Sequence, residues 1–176
     1  LGIDGLVIAT PSSLHTDLLL EAIAAGIPVF IEKPVVTCFE DIAKVRKALT
    51  KYMYDAPTLV GCNLRFLPSL VRLRELVRNG AIGSVVRAVF EAGQWLPDWR
   101  PDTDYRSSYS ADPEKGGGVV FDLVHEIDAA RWILGEMGEV RSLVSTVPSL
   151  EIASTGAAVA IMRSESGVIV SLALDY

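Results

Sequence analysis

Three short stretches of this 176-residue chain carry side chains suited to moving a proton or holding a polar ligand. The first is Glu32-Lys33-Pro34, directly after the apolar run Val29-Phe30-Ile31. A lysine at a strand exit can stabilise negative charge developing on an oxygen and deliver a proton to it. The competing reading is a solvated lysine, which general surface statistics favour. The second stretch is Thr10-Pro11-Ser12-Ser13-Leu14-His15, where hydroxyls and an imidazole gather at the start of a helical pattern. His15 falls in the first turn of that helix, from which its ring can lean over a planar ligand or simply pack locally. The third is Gly116-Gly117-Gly118 leading to Asp122, His125 and Glu126. On a helix these last three share one face, while Leu123, Ile127, Ala130 and Leu134 share another. The glycines permit a sharp turn and close approach to a ligand, and Asp122 can orient the His125 ring and hold its charge. An ion-paired stripe facing solvent competes with that reading. Both histidines of the chain fall in these segments, which tips the balance toward a site.

The elements that must position these residues follow from periodicity. Residues 5–9 form a short apolar run broken by Thr10-Pro11, and Ser12 and Ser13 are cap candidates for a helix carrying Leu14, Leu18, Leu19, Ala22 and Ile23. Gly26 and Pro28 stop it, and residues 29–31 read as the next strand. A strand, a one-helix crossover and a second strand imply parallel strands joined right-handedly. In such sheets ligands bind beyond the carboxyl ends of the strands, the edge shared by Thr10 and Lys33. Thr37 and Glu40 have capping-box spacing, opening a helix to about residue 49. A strand at 58–62, an arginine-rich amphipathic helix at 68–79 and a strand at 84–94 follow. Residues 95–118 show no periodicity but hold Trp95, Trp99, Tyr105 and Tyr109, a loop long enough to be suspected of function. Residues 119–134 read as one helix, and strands follow at 140–147, 157–162 and 168–174, the last two joined by a turn at Ser164-Glu165-Ser166-Gly167. The second half is thus a largely antiparallel sheet with helices on one face.

Composition narrows the partners. With 22 acidic and 16 basic residues the net charge is −6, which disfavours nucleic acid and anionic membrane surfaces. No apolar run approaches the ~18 residues that span a bilayer. Cys38 and Cys62 are too few for a disulfide framework or a four-cysteine metal site, and no signal peptide is evident, so a cytoplasmic protein without a metal is expected. Leu1 stands four residues before an apolar strand, as though an earlier part were missing.

Val7-Ile8-Ala9-Thr10-Pro11 with His15, then Glu32-Lys33-Pro34, Arg65-Phe66 after a strand, and the glycine-rich entry to Asp122 and His125 resemble the Gfo/Idh/MocA family of NAD(P)-dependent oxidoreductases. The order and spacing match over nearly the whole chain. The resemblance implies an α/β plus α+β fold: the C-terminal remnant of a Rossmann parallel sheet over residues 1–64, then an α/β domain with a large, mainly antiparallel open sheet over residues 65–176, incomplete at its end. It implies that Thr10, Pro11, Ser12, His15, Glu32 and Lys33 lie near NAD or NADP, and that Lys33 and His125 form the catalytic pair with Asp122 beside them. Hydride would pass between the nicotinamide and a sugar, sugar derivative or cyclitol. Asn63 and Arg65, with Trp99, Tyr105 and Arg106 of the long loop, join Asp122 and His125 as substrate candidates; the alternative is a loop pinned by its own aromatics. The open sheet implies a homo-oligomer. Two features depart from the family. Asp122 and His125 stand three apart where four is usual, which assigns Asp122 to supporting His125. No G-x-G-x-x-G occurs, so the chain as it stands should bind NADH or NADPH weakly or not at all. The rival expectation is a truncated, non-catalytic substrate-binding or oligomerisation module, since the strand at 6–9 would show an apolar edge.

Overall fold

Strands β1 (Leu6–Ile8), β2 (Val29–Ile31) and β3 (Thr58–Val60) pair in parallel in that order, in a computed structural model that describes residues 2–176. The crossovers carry helices α1 (His15–Ala25) and α2 (Phe39–Lys51). Strand side chains alternate between faces, so Ile8, Val29 and Ile31 pack with Leu19, Ala22, Ile23 and Ala48 of the helices. The cross-strand row Val7, Phe30 and Leu59 lies on the other face, where Val7 and Leu59 are exposed. Residues up to Gly61, together with Glu114–Gly116, make this first unit; residues 62–113 and 117–176 make the second.

Both expected N-caps differ from the structure. Ser12–Leu14 form a 3-10 turn closed by the Leu14 amide donating to Pro11 O at 2.9 Å, and α1 starts at His15 with no side-chain cap. Pro11 holds φ at −53°, so the chain is already turning at the serines rather than entering extended through them. Helix α2 is preceded by an extended Cys38, one residue later than the Thr37 spacing implied, and no side chain caps it. Its acidic first turn, Glu40 and Asp41, complements the helix dipole instead. Asp41 also accepts from Thr16 of α1 at 2.8 Å, tying the two helices together.

The second unit holds α3 (Pro68–Arg78), β4 (Arg87–Gly93), α4 (Val119–Asp122), α5 (Val124–Leu134), β5 (Met137–Ser145), β6 (Ala157–Ser164) and β7 (Ile169–Asp175). The sheet order is β4-β7-β6-β5, antiparallel except for the parallel β4–β7 pair. Val170, Leu172 and Leu174 of β7 and Ala158, Ala160 and Met162 of β6 face one way, into a core with Leu96, Val119, Ala130 and Leu150. Val89, Val159, Ile161 and Leu143 face the other way and are exposed. The parallel three-stranded sheet followed by a mixed sheet with helices on one face is the expected fold class, the second sheet having four strands among the described residues.

The expected single helix over 119–134 is two helices. Leu123, at φ −97° and ψ 30°, leaves the helical region between them. The apolar period runs straight through this break. What interrupts it is tertiary: the Val119 amide donates to Thr155 O at 2.9 Å, and Asp122 is held by Tyr176. The long loop is a chain of 3-10 turns at Leu96–Trp99, Tyr105–Ser107, Tyr109–Ala111 and Pro113–Lys115. Among the described residues no helix is long and apolar enough to cross a membrane.

Candidate functional site

In the first unit, Thr10, Lys33 and Gly61 stand just beyond the carboxyl ends of β1, β2 and β3. Lys33 follows the central strand and is half-buried, while Thr10 and Pro11 are exposed and Ser12 is buried. Glu32 turns its carboxylate toward the main chain: Oε2 accepts the Lys33 amide at 3.3 Å, and a Cβ at Gly61 would meet either carboxylate oxygen at 2.9 Å. Gly61 therefore reserves the space in which Glu32 sits.

His15 is 1% exposed. Its Nδ1 lies 2.7 Å from Pro34 O and its Nε2 2.9 Å from Thr10 O. The ring is thus enclosed between the turn after β1 and the turn that carries Lys33, with both edges on carbonyl oxygens. Its place is that of a brace between two turns rather than a ring presented to solvent.

In the second unit, Asp122 is buried and its Oδ2 accepts from the Tyr176 hydroxyl at 2.6 Å. Burial, then the hydrogen bond to Asp122 and its charge, push the Tyr176 phenol well above its usual range. Tyr109 is pushed up by burial first and then by the Asp122 charge. His125 and Glu126 are half-buried in the first turn of α5.

Asn63 and Arg65 lie in a 3-10 turn that opens toward α5. The Arg65 guanidinium grips Asp128 in bidentate fashion, Nε to Oδ2 at 2.8 Å and Nη2 to Oδ1 at 2.5 Å. Burial alone would raise the Asp128 carboxyl, but the Arg65 hydrogen bonds and charge outweigh it and hold the carboxyl below its ordinary value. The loop candidates are also engaged within the protein. Trp99 donates from Nε1 to Gln94 O at 2.9 Å, and Tyr105 donates its hydroxyl to Leu150 O at 3.0 Å. Arg106 pairs with Asp104 and Glu151 at the surface.

The three glycines allow close approach, but the approaching atoms are the protein's own. A Cβ on Gly116 would meet Thr37 Cγ2 at 2.8 Å and Ser12 Cβ at 2.9 Å. On Gly117 it would strike the carbonyl oxygens of Tyr109, Ser110 and Asp112, and on Gly118 it would meet Thr155 Oγ1 at 2.8 Å. In α3, Arg74 donates to Trp132 O at 2.8 Å with its guanidinium 4.6 Å from the indole centroid, while Arg72 pairs with Glu75 at the surface. Tyr176 and Asp128, which hold the candidate residues, carry no local signal. Tyr176 follows an apolar strand, and Asp128 reads as one more polar position on a helix.

Comparison with known proteins identifies the family to which both units belong. Residues 70–176 match the GFO/IDH/MocA C-terminal domain, and residues 2–53 match the oxidoreductase family with an NAD-binding Rossmann fold. The chain belongs to the Gfo/Idh/MocA family. Among characterised Gfo/Idh/MocA proteins it is 32% identical over 135 residues to the rhizopine catabolism protein MocA of Rhizobium meliloti, covering 76% of this chain and 39% of that one. It is 34% identical over 137 residues to inositol 2-dehydrogenase of the same species, covering 76% and 37%. The structure of myo-inositol 2-dehydrogenase from Lactobacillus plantarum superposes with a TM-score of 0.81 at 25% identity, over 99% of this chain and 51% of that one. The chain therefore spans well under half the length of these curated family members and about half of the solved one. Lys33 lies in the part matched to the NAD-binding family, and Asp122 and His125 lie in the part matched to the C-terminal domain.

Proposed function

We propose that this chain supplies the proton-handling residues of an NAD(P)-dependent dehydrogenase acting on a hydroxyl-bearing carbon of a sugar, sugar derivative or cyclitol. The observation that carries the reading is the position of Lys33, at the carboxyl end of the central parallel strand, where ligands of such sheets bind. Its relatives include an inositol dehydrogenase and a levoglucosan dehydrogenase, which favours a polyhydroxylated substrate.

The polar groups around the strand ends suit the nicotinamide and ribose end of the cofactor: the Thr10 and Ser12 hydroxyls and the Lys33 ammonium as donors and the Glu32 carboxylate as acceptor. These are the residues that would hold it. When bound, the cofactor supplies C4 of its ring as hydride acceptor or donor. As the substrate carbon gives up its hydride, the hydroxyl proton must leave, and Lys33 and His125 are the groups assigned to take it. In the reverse direction they return a proton to the oxygen as negative charge builds there. Asp122 supports His125 by charge. Asn63 and Arg65 are assigned to the substrate side, with Trp99, Tyr105 and Arg106 shaping the loop beside it.

Assay of NAD and NADP reduction against myo-inositol, levoglucosan and related polyols tests this. In a full-length version, Lys33→Ala should lower turnover by about a hundredfold or more with a much smaller change in cofactor affinity, because the ammonium acts mainly on charge that appears in the transition state. Near-normal turnover in that variant would remove Lys33 from the mechanism. A second reading, a substrate-binding module that associates with a second copy of itself, draws on the exposed apolar face of Val89, Val159, Ile161 and Leu143. A full-length version that binds no NADH, with a concentration-dependent dimer in sedimentation, would favour it.

A further inference from the structure

Asp122 ends α4 only 6% exposed, and a carboxylate so enclosed requires donors. The Tyr176 hydroxyl meets Oδ2 at 2.6 Å, the short distance of an O–H donating to a charged oxygen. Tyr109 is a second phenol that feels the charge of the same carboxylate. A carboxylate accepts and cannot donate, so the Tyr176 hydroxyl seated on it makes Asp122 the acceptor.

The two tyrosines come from elements with no helical link to Asp122. Tyr176 follows β7, and Tyr109 sits in the loop 95–118. Each is seated by further contacts. The Trp99 ring meets the Tyr176 ring edge-on, with centroids 5.5 Å apart at 86°. Trp99 is fixed in turn through Nε1 on Gln94 O, and the Gln94 amide donates to Asp175 O at 3.3 Å. Gly117 packs against the carbonyls of Tyr109, Ser110 and Asp112, which presses the Tyr109 turn against the entry to α4. The loop and the end of β7 thus form one bracket around a single carboxylate.

We propose that Tyr176 is a positioning residue, whose hydroxyl fixes the Asp122 carboxylate as a charge partner and acceptor at the break between α4 and α5. The aromatic loop, through Trp99 and Tyr109, is the scaffold of that pairing. The link from this pairing to turnover rests on the dehydrogenase reading above; the pairing itself does not.

Tyr176→Phe keeps the ring against Trp99 and deletes only the hydroxyl. Two measurements decide the proposal. In the first, phenol ionisation of the 176-residue chain is followed by ultraviolet absorbance, with circular dichroism confirming the fold at each pH. Of the five tyrosines, the steps of Tyr109 and Tyr176 should come later than the rest. Tyr176→Phe should remove one late step, and Asp122→Asn should make a late step come earlier, burial still holding it above the ordinary phenol range. A titration unchanged by Asp122→Asn overturns the pairing.

The second measurement uses a full-length version of the enzyme with whichever polyol the panel above shows it to oxidise. Tyr176→Phe should lower kcat by about tenfold with KM for NAD unchanged, and adding it to Asp122→Asn should cause little further loss. Full additivity of the two losses, or an unchanged kcat, overturns the positioning role. An enzyme that oxidises no polyol sinks the dehydrogenase reading and with it the effect on turnover, while the phenol titration still decides the pairing.

Discussion

The two units hold their candidate residues by different means. In the first, the turn carrying Lys33 is tied through main-chain atoms: His15 bridges the carbonyls of Thr10 and Pro34, and Glu32 takes the Lys33 amide. In the second, side chain holds side chain, as Tyr176 with Asp122 and Arg65 with Asp128. A carbonyl cannot be altered by substitution, so replacing the side chain that satisfies it strands a buried acceptor. A pair of side chains can be thinned on either partner and rescued by a group of like shape. The first arrangement fixes backbone geometry and the second fixes charge.

The comparison is sharpest where the second unit does rely on main chain. Gly117→Ala places a methyl against three carbonyl oxygens that belong to the loop's own turns, and these cannot swing aside as a side chain would. It should destabilise the second unit by about 3 kcal/mol or more. Urea unfolding followed by tryptophan fluorescence reads this directly, since Trp95, Trp99 and Trp132 all lie in the second unit. A loss below about 1 kcal/mol would show the loop to be more yielding than its packing implies.

His15→Ala should follow. It leaves a cavity in place of a fully buried ring and removes the ring N–H donor from beside the Thr10 and Pro34 carbonyls, a loss of about 2–4 kcal/mol by urea unfolding read in the far ultraviolet. If His15→Ala proved harmless, the claim that the first unit depends on its main-chain brace would fall.

Asp128→Asn should cost least, about 1 kcal/mol at neutral pH, because the Arg65 side chain is 43% exposed and water screens the pair. The pH dependence has a fixed sign. Arg65 lowers the folded-state Asp128 carboxyl, so the pair's stability is present above the ordinary carboxylate value and is lost as pH falls through the lowered one. The gap between wild type and Asp128→Asn should therefore close as pH falls below the ordinary carboxylate value of about 3.9. A gap that stays constant with pH would assign the effect to packing.

What could be read from the chain, and what could not, divides along the same line. The parallel strand–helix–strand of the first unit follows from local runs of apolar residues and their stops, and Lys33 at a strand exit follows with it. The strands of the second sheet were legible because β6 and β7 alternate buried and exposed positions cleanly. Tertiary hydrogen bonds have no sequence period, and they decide the rest. The break at Leu123 interrupts a pattern that is helical throughout. His15 is a ring at a helix start that could as well face a ligand, until its two carbonyl partners, one of them 19 residues away, are known. The glycine run signals close approach without naming what approaches. Tyr176 meets Asp122 across 54 residues, a distance over which no spacing rule operates.

The parallel pairing of β4 with β7 sets the order in which the second unit can assemble. Ser164 and Gly167 close a tight hairpin between β6 and β7, and β5 joins β6 through a short excursion, so these three strands meet across small loops. Arg87 must find Ile169 with the aromatic loop, both helices and two strands strung between them. Loop-closure entropy places that encounter late. Phe90, which lies opposite Leu172, gains its neighbour only when the last strand docks, so the sheet edge beside the aromatic loop is the final part of the unit to leave water.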